Sequence, residues 1–170
     1  MRKNIKIAIG IVLLSLVFFL GYSIVNRLQH KKTVAARIQQ IPSFSFFTLT
    51  GKEFTDAQLP KKSIIFVYFN SDCDYCQSEA VKIREHINDF NNIQWVFVSF
   101  ENATKIENFA STYKLNNREN VLFLEDKKAV FATIFNANTI PFIVIYDSNK
   151  KLLKQFKGVT SIKSLLEVVP

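Results

Sequence analysis

Apolar residues run without alternation through 64–69 (IIFVYF), which predicts an interior strand covered on both faces. A second such run, 93–100 (IQWVFVSF), predicts another. Between them the period changes. Ala80, Ile83, Ile87 and Phe90 fall on one face of a helix over 77–90, and Lys82, Arg84, Glu85 and Asp89 fall away from it. The pattern repeats downstream. A helix over 103–115 carries Ile106, Phe109, Ala110 and Tyr113 as its inner stripe, then a strand follows at 121–124 and a short helix at 128–135. Residues 142–146 (FIVIY) and 152–157 read as a hairpin across the D-S-N-K turn, Gly158 breaks the chain, and Ser161 caps a last helix to Val169. Upstream, 43–50 has the alternation of a first strand, and 53–59 is short and weakly patterned. Strands alternating with helices, closed by a hairpin and a helix, predict an α/β sandwich of three layers around a mixed central sheet.

The N-terminus follows a different rule. Residues 7–26 contain no charge and are rich in Ile, Val, Leu and Phe, matching the roughly 20 residues that cross a bilayer. No small-x-small cleavage site follows closely, so an uncleaved single-pass signal anchor is expected, with cleavage as the alternative. This divides the chain into a cytoplasmic leader (1–6), a transmembrane anchor in contact with lipid (7–26), a stalk (27–40) ended by Ile41-Pro42, and a domain over 41–170. The domain is expected outside the cytoplasmic membrane, facing the periplasm or the cell exterior.

Charge changes the picture only once it is located. The net charge is +8, but residues 1–40 hold seven basic residues and no acid, and the remainder has 15 basic against 14 acidic residues. The basic balance therefore belongs to the membrane flanks, and no nucleic-acid partner is expected. The 17 phenylalanines read as core filling.

The chemistry sits where the strand over 63–70 gives way to a helix. Both cysteines of the chain, Cys73 and Cys76, lie at that join as C-D-Y-C. A thiol at a helix N-terminus meets unpaired N–H groups and the macrodipole, which favour its thiolate, and a thiol one turn later can attack a mixed disulfide formed by the first. A structural disulfide closing so short a loop contributes little. Zinc would need two further ligands, and the only histidines are His30 and His86.

With that strand before the cysteines, a helix after them, and Ile140-Pro141 entering a late strand, the chain resembles the thioredoxin superfamily. Within it the likeness is to membrane-anchored TlpA/ResA-type thiol–disulfide oxidoreductases, over roughly 41–169. The extra strand and helix over 121–135 fit that branch. The resemblance implies Cys73 as nucleophile, Cys76 as resolving thiol in a redox-active disulfide, and Pro141 as a cis-proline that exposes the backbone of Ile140 to a substrate strand. It implies that Glu79, in C-x-x-C-x-x-E, manages the proton of Cys76; the competing reading of Glu79 is a solvated carboxylate in a helix's first turns. Tyr75 is expected to be exposed beside Cys73 and to touch substrate, or to be a plain surface aromatic. No cofactor and no metal are implied. The implied partners are a disulfide-bearing protein substrate and a membrane thiol electron donor, with cytochrome c maturation as one pathway.

Some positions depart from the family pattern. Asp72 and Asp74 flank Cys73, where Trp and a small neutral residue are common, and their charge opposes the thiolate. That predicts a reductant rather than a strong oxidant. Asp72 also has a plainer reading as a helix N-cap. Val67 stands where thioredoxin keeps a buried acid. The alternatives are a peroxiredoxin-like thiol peroxidase, against which Asn70-Ser71-Asp72 lack the Thr/Pro of the peroxidase pattern, and a non-enzymatic tethered binding module.

Overall fold

The computed structural model describes residues 16, 18–26, 29, 36–90 and 92–169, and the chain divides into two compact units, Met1–Arg37 and Ile38–Pro170. In the first, residues 18–26 are helical. Much of the expected anchor, residues 7–15 and 17, lies outside the described residues, as do the leader and most of the stalk. Among the described residues no helix is long and apolar enough to cross a membrane.

The second unit is a seven-stranded mixed sheet in the order β2-β1-β5-β4-β3-β6-β7. Its strands are β1 (Ser45–Thr48), β2 (Glu53–Thr55), β3 (Ser63–Tyr68), β4 (Ile93–Ser99), β5 (Val121–Glu125), β6 (Phe142–Tyr146) and β7 (Leu152–Lys157). Its helices are α1 (Asp74–His86), α2 (Ala103–Thr112), α3 (Phe131–Phe135) and α4 (Ile162–Leu166). The three central strands β3, β4 and β5 are parallel, and β6 runs antiparallel to β3.

The period-2 alternation of the interior strands sorts the core into two halves. Ile65, Val67, Trp95, Phe97, Ile143 and Ile145 face one side, against Ala80 and Ile83 of α1, Phe109 of α2 and Leu165 of α4. Ile64, Phe66, Tyr68, Val96, Val98 and Val144 face the other, against Phe131 and Phe135 of α3. Phenylalanines fill the second half: the Phe66 ring lies 5.1 Å from Phe135, 6.2 Å from Phe131 and edge-on to Phe44 and Tyr146. This is the three-layer sandwich that the alternation of elements predicts.

The differences are at the margins. The first strand is shorter than 43–50, and the weakly patterned 53–59 splits into β2 and a 3-10 turn. Helix α1 ends at His86 and passes into a 3-10 turn over Ile87–Asp89. Residues 38–41, mostly counted with the stalk, join the domain: Ile38 is buried and its carbonyl accepts from the Tyr146 hydroxyl at 3.2 Å. Gln39 accepts from the Leu152 N–H, and the Ile41 N–H donates to Lys150.

Candidate active site

Strand pairing brings the site together. Tyr68 at the end of β3 pairs with Phe142 at the start of β6, and β4 ends beside β3 in parallel register. The chain leaving β3, the chain leaving β4 and the chain entering β6 therefore meet at one end of the sheet. Those segments carry Cys73, Glu101 and Ile140-Pro141. The Ile140–Pro141 peptide bond is cis.

Cys73 is itself the N-cap of α1, in extended backbone, and its sulfur accepts from the Cys76 N–H at 3.4 Å. The expected capping role of Asp72 is thus wrong, because the helix begins one residue later and the thiol takes the cap position. Asp72 instead donates its N–H to Asn70 Oδ1 at 2.9 Å. Both cysteines are free thiols, Cys73 partly exposed and Cys76 buried. The pair is asymmetric. Burial pushes the Cys76 thiol up to about 12, helped by its hydrogen bond with Cys73 and by negative charge at Cys73 and Glu79, while a backbone hydrogen bond from Asn70 opposes the rise. Cys76 keeps its proton and Cys73 faces the surface.

Glu79 lies three residues beyond Cys76, on the same side of α1, and has no solvent exposure. The solvated-carboxylate reading is overturned: Glu79 Oε2 accepts from the Thr160 N–H at 2.9 Å, and Oε1 has no partner. Burial holds this carboxyl above the usual carboxylate range, against the Thr160 hydrogen bond and the charge of Lys82. The loop that supplies Thr160 reaches the cis-proline as well. Gly158, at φ +76°, donates its N–H to the Pro141 carbonyl at 2.9 Å, and its own carbonyl accepts from Thr160 Oγ1 at 3.2 Å. A left-handed φ is least costly for glycine, which has no Cβ.

Sequence reasoning missed the polar cradle under the Cys73 loop. The buried Glu101 carboxylate accepts from the Ser71 N–H at 2.6 Å, from Ser71 Oγ at 2.8 Å and from Ser99 Oγ at 3.3 Å. Lys105 reaches it at 3.2 Å and reaches Asp72 at 2.8 Å. Gln77 donates to the Ser71 carbonyl at 2.9 Å, so the loop is held from both sides. The available signal was an acid two residues past the end of a strand parallel to the cysteine-bearing one.

Tyr75 is 69% exposed on the first turn of α1, and Phe100, after β4, is 46% exposed. A shallow groove beside the cis-proline is lined by Tyr68, Ala137, Asn138, Thr139 and Ile140. Burial, and secondarily the charge of Asp126, pushes the Tyr68 hydroxyl up to about 12. Among the described residues no group of His, Cys, Asp and Glu is arranged to hold a metal. His86 lies beside Asp89 at the surface, and His30 lies outside the described residues.

Comparison with known proteins fits this geometry. The chain is 27% identical over 143 residues to the Thioredoxin-like protein YneN of Bacillus subtilis, covering 81% of each chain. Among solved structures it is similar to a secreted Mycobacterium tuberculosis disulfide oxidoreductase homologous to E. coli DsbE (TM-score 0.62, 22% identity, 76% of this chain and 93% of that one). It is also similar to StoA from Bacillus subtilis (TM-score 0.59, 18% identity, 76% and 97%). At these identities the solved structures show the fold, which is thioredoxin-like. A family model described as the AhpC/TSA family matches residues 38–166, the whole sheet and its flanking helices. With that match over most of its length, the chain belongs to the AhpC/TSA family.

Proposed function

We propose that this protein is a membrane-anchored, extracytoplasmic thiol–disulfide oxidoreductase that reduces disulfides in protein substrates. The observation that carries the reading is the asymmetry of the cysteine pair: an accessible Cys73 at a helix N-cap and a buried Cys76 held protonated beneath it. Cys73 thiolate attacks one sulfur of a substrate disulfide, forming a mixed disulfide and releasing the other substrate sulfur, which takes a proton. The substrate backbone pairs beside Ile140-Pro141, with Tyr75 at the rim of the contact. Glu79 accepts the Cys76 proton, and the Cys76 thiolate attacks Cys73 Sγ. That closes the Cys73–Cys76 disulfide and releases the second substrate thiol. Two electrons and two protons have then passed to the substrate. A membrane thiol carrier restores the dithiol, and no cofactor is needed. Residues 7–26 supply the anchor, and apocytochrome c cysteines are one substrate class of suitable chemistry.

Membership of the AhpC/TSA family supports a second reading, a thiol peroxidase in which Cys73 attacks peroxide. One experiment separates the two. The full-length chain and its Cys73→Ser and Cys76→Ser variants are assayed for reduction of a protein disulfide and for peroxide consumption. Disulfide reduction that requires both cysteines supports the proposal. Peroxide consumption that requires Cys73, without disulfide reduction, overturns it.

A further inference from the structure

The cradle under the Cys73 loop joins a buried acid to an exposed charge beside the nucleophile. Glu101 is 5% exposed at its side chain and takes two hydrogen bonds from Ser71, two residues before Cys73. Lys105 stands four residues on, in the first turn of α2, where Asn102 Oδ1 caps the helix by accepting from the Lys105 N–H. Its ammonium is shared between Glu101, at 3.2 Å, and Asp72, at 2.8 Å. Asp72 adjoins Cys73 and is 74% exposed, so without Lys105 its carboxylate would stand uncompensated beside a forming thiolate. Hydrogen bonds to Asp72 and then to Glu101 favour the charged form of Lys105 and hold its proton affinity above the ordinary lysine value. Asp74, within the motif, has no such partner among the ion pairs of the described residues.

We propose that Glu101 and Lys105 are positioning residues for the dithiol: Glu101 fixes the Ser71–Cys73 loop, and Lys105, held by Glu101, offsets the charge of Asp72 so that Cys73 can ionise. The inference rests on the reading of Cys73 as nucleophile. It makes the reactivity of Cys73 depend on a lysine 32 residues away in the chain, through a charge pair rather than a contact with substrate.

A charge cycle on the full-length chain tests it, using Lys105→Met, Asp72→Asn and the double variant. Both sites are at the surface, and folding is checked by circular dichroism. The readouts are the rate of Cys73 alkylation by iodoacetamide at one fixed pH and the dithiol–disulfide equilibrium against glutathione. Lys105→Met is expected to slow alkylation about two- to fivefold, the scale of an exposed ion pair, and to shift the equilibrium toward the disulfide. Asp72→Asn is expected to speed it, and the double variant to return to within about twofold of the wild-type rate. If Lys105 only braces the loop, the double variant stays as slow as Lys105→Met, and the inference is overturned. Equal rates in all four proteins also overturn it. For Glu101, Glu101→Gln keeps an acceptor for Ser71 and is expected to retain most of the turnover that Glu101→Ala loses; equal loss in both overturns its positioning role. Wild-type protein with no Cys73-dependent exchange would instead refute the functional reading, an outcome distinct from a flat cycle in an active enzyme.

Discussion

Replacing Glu79 with Gln isolates the proton step from the rest of the chemistry. In the wild type, Cys76 is held at about 12, roughly 3 pH units above an ordinary thiol, so its thiolate fraction at neutral pH is about a thousandfold smaller. Unaided, that deficit falls directly on the resolving step. Glu79 is the buried acceptor beside it, with one oxygen hydrogen-bonded to Thr160 and the other unpartnered. A positioned base of this kind contributes about 10²–10⁴-fold, so Glu79→Gln should slow resolution by at least about a hundredfold. The assay loads Cys73 with thionitrobenzoate and follows its release as Cys76 attacks, in a stopped-flow spectrometer. Initial attack by Cys73 on the reagent should change little. The wild-type release rate should rise with pH as Glu79 loses its proton, through a range above that of an ordinary carboxyl, and the variant should lose that rise. The same group affects stability. Because its folded-state affinity for a proton is raised, its contribution is fully present below the unfolded carboxyl range and is lost as pH climbs through the folded value. Thermal melts should therefore show wild type losing stability over that window and Glu79→Gln losing less. Release kinetics unchanged by Glu79→Gln would refute the base assignment.

Three further outcomes are expected. Iodoacetamide followed by peptide mass spectrometry should modify Cys73 long before Cys76, since Cys76 is 2% exposed and held protonated; equal labelling would contradict the asymmetry. Phe66→Ala, at the centre of the ring cluster with Phe44, Phe131, Phe135 and Tyr146, should cost about 3–5 kcal/mol in urea unfolding, and a loss below about 1 kcal/mol would show that the cluster closes around the gap. Tyr75→Ala should leave stability within about 0.5 kcal/mol and raise KM for a protein disulfide severalfold without slowing attack on thionitrobenzoate reagent; an unchanged KM would make Tyr75 an ordinary surface aromatic.

Much of the fold was legible because its strongest elements carry their own period. The unbroken apolar run at 64–69 and the run at 93–100 are the interior strands β3 and β4, buried on both faces as such runs require. The cysteine pair was legible because strand, turn and helix signals coincide around it. Glu79 was half legible. It shares the 76/79/80/83 spacing of the buried face of α1, yet an acid near a helix start has an equally sound reading in solvent. Only the packing of the 158–160 loop over it decides. Glu101 and Lys105 were illegible for a different reason: their partners Ser71 and Asp72 are 30 and 33 residues away, and only the parallel β3–β4 register brings them together. β2 was lost because three residues are too few to show a period; its evidence is its pairing with β1.

The loop after β7 has two clients. Gly158 grips the carbonyl of Pro141, and Thr160, two residues on, grips Glu79. In the proposed mechanism, docking at the proline edge and proton storage under the second sulfur therefore share one short bracket of main chain. A side chain forced onto Gly158 would distort that bracket at its hinge, and the damage would register at both ends: in how firmly a client protein is held and in how readily it is let go.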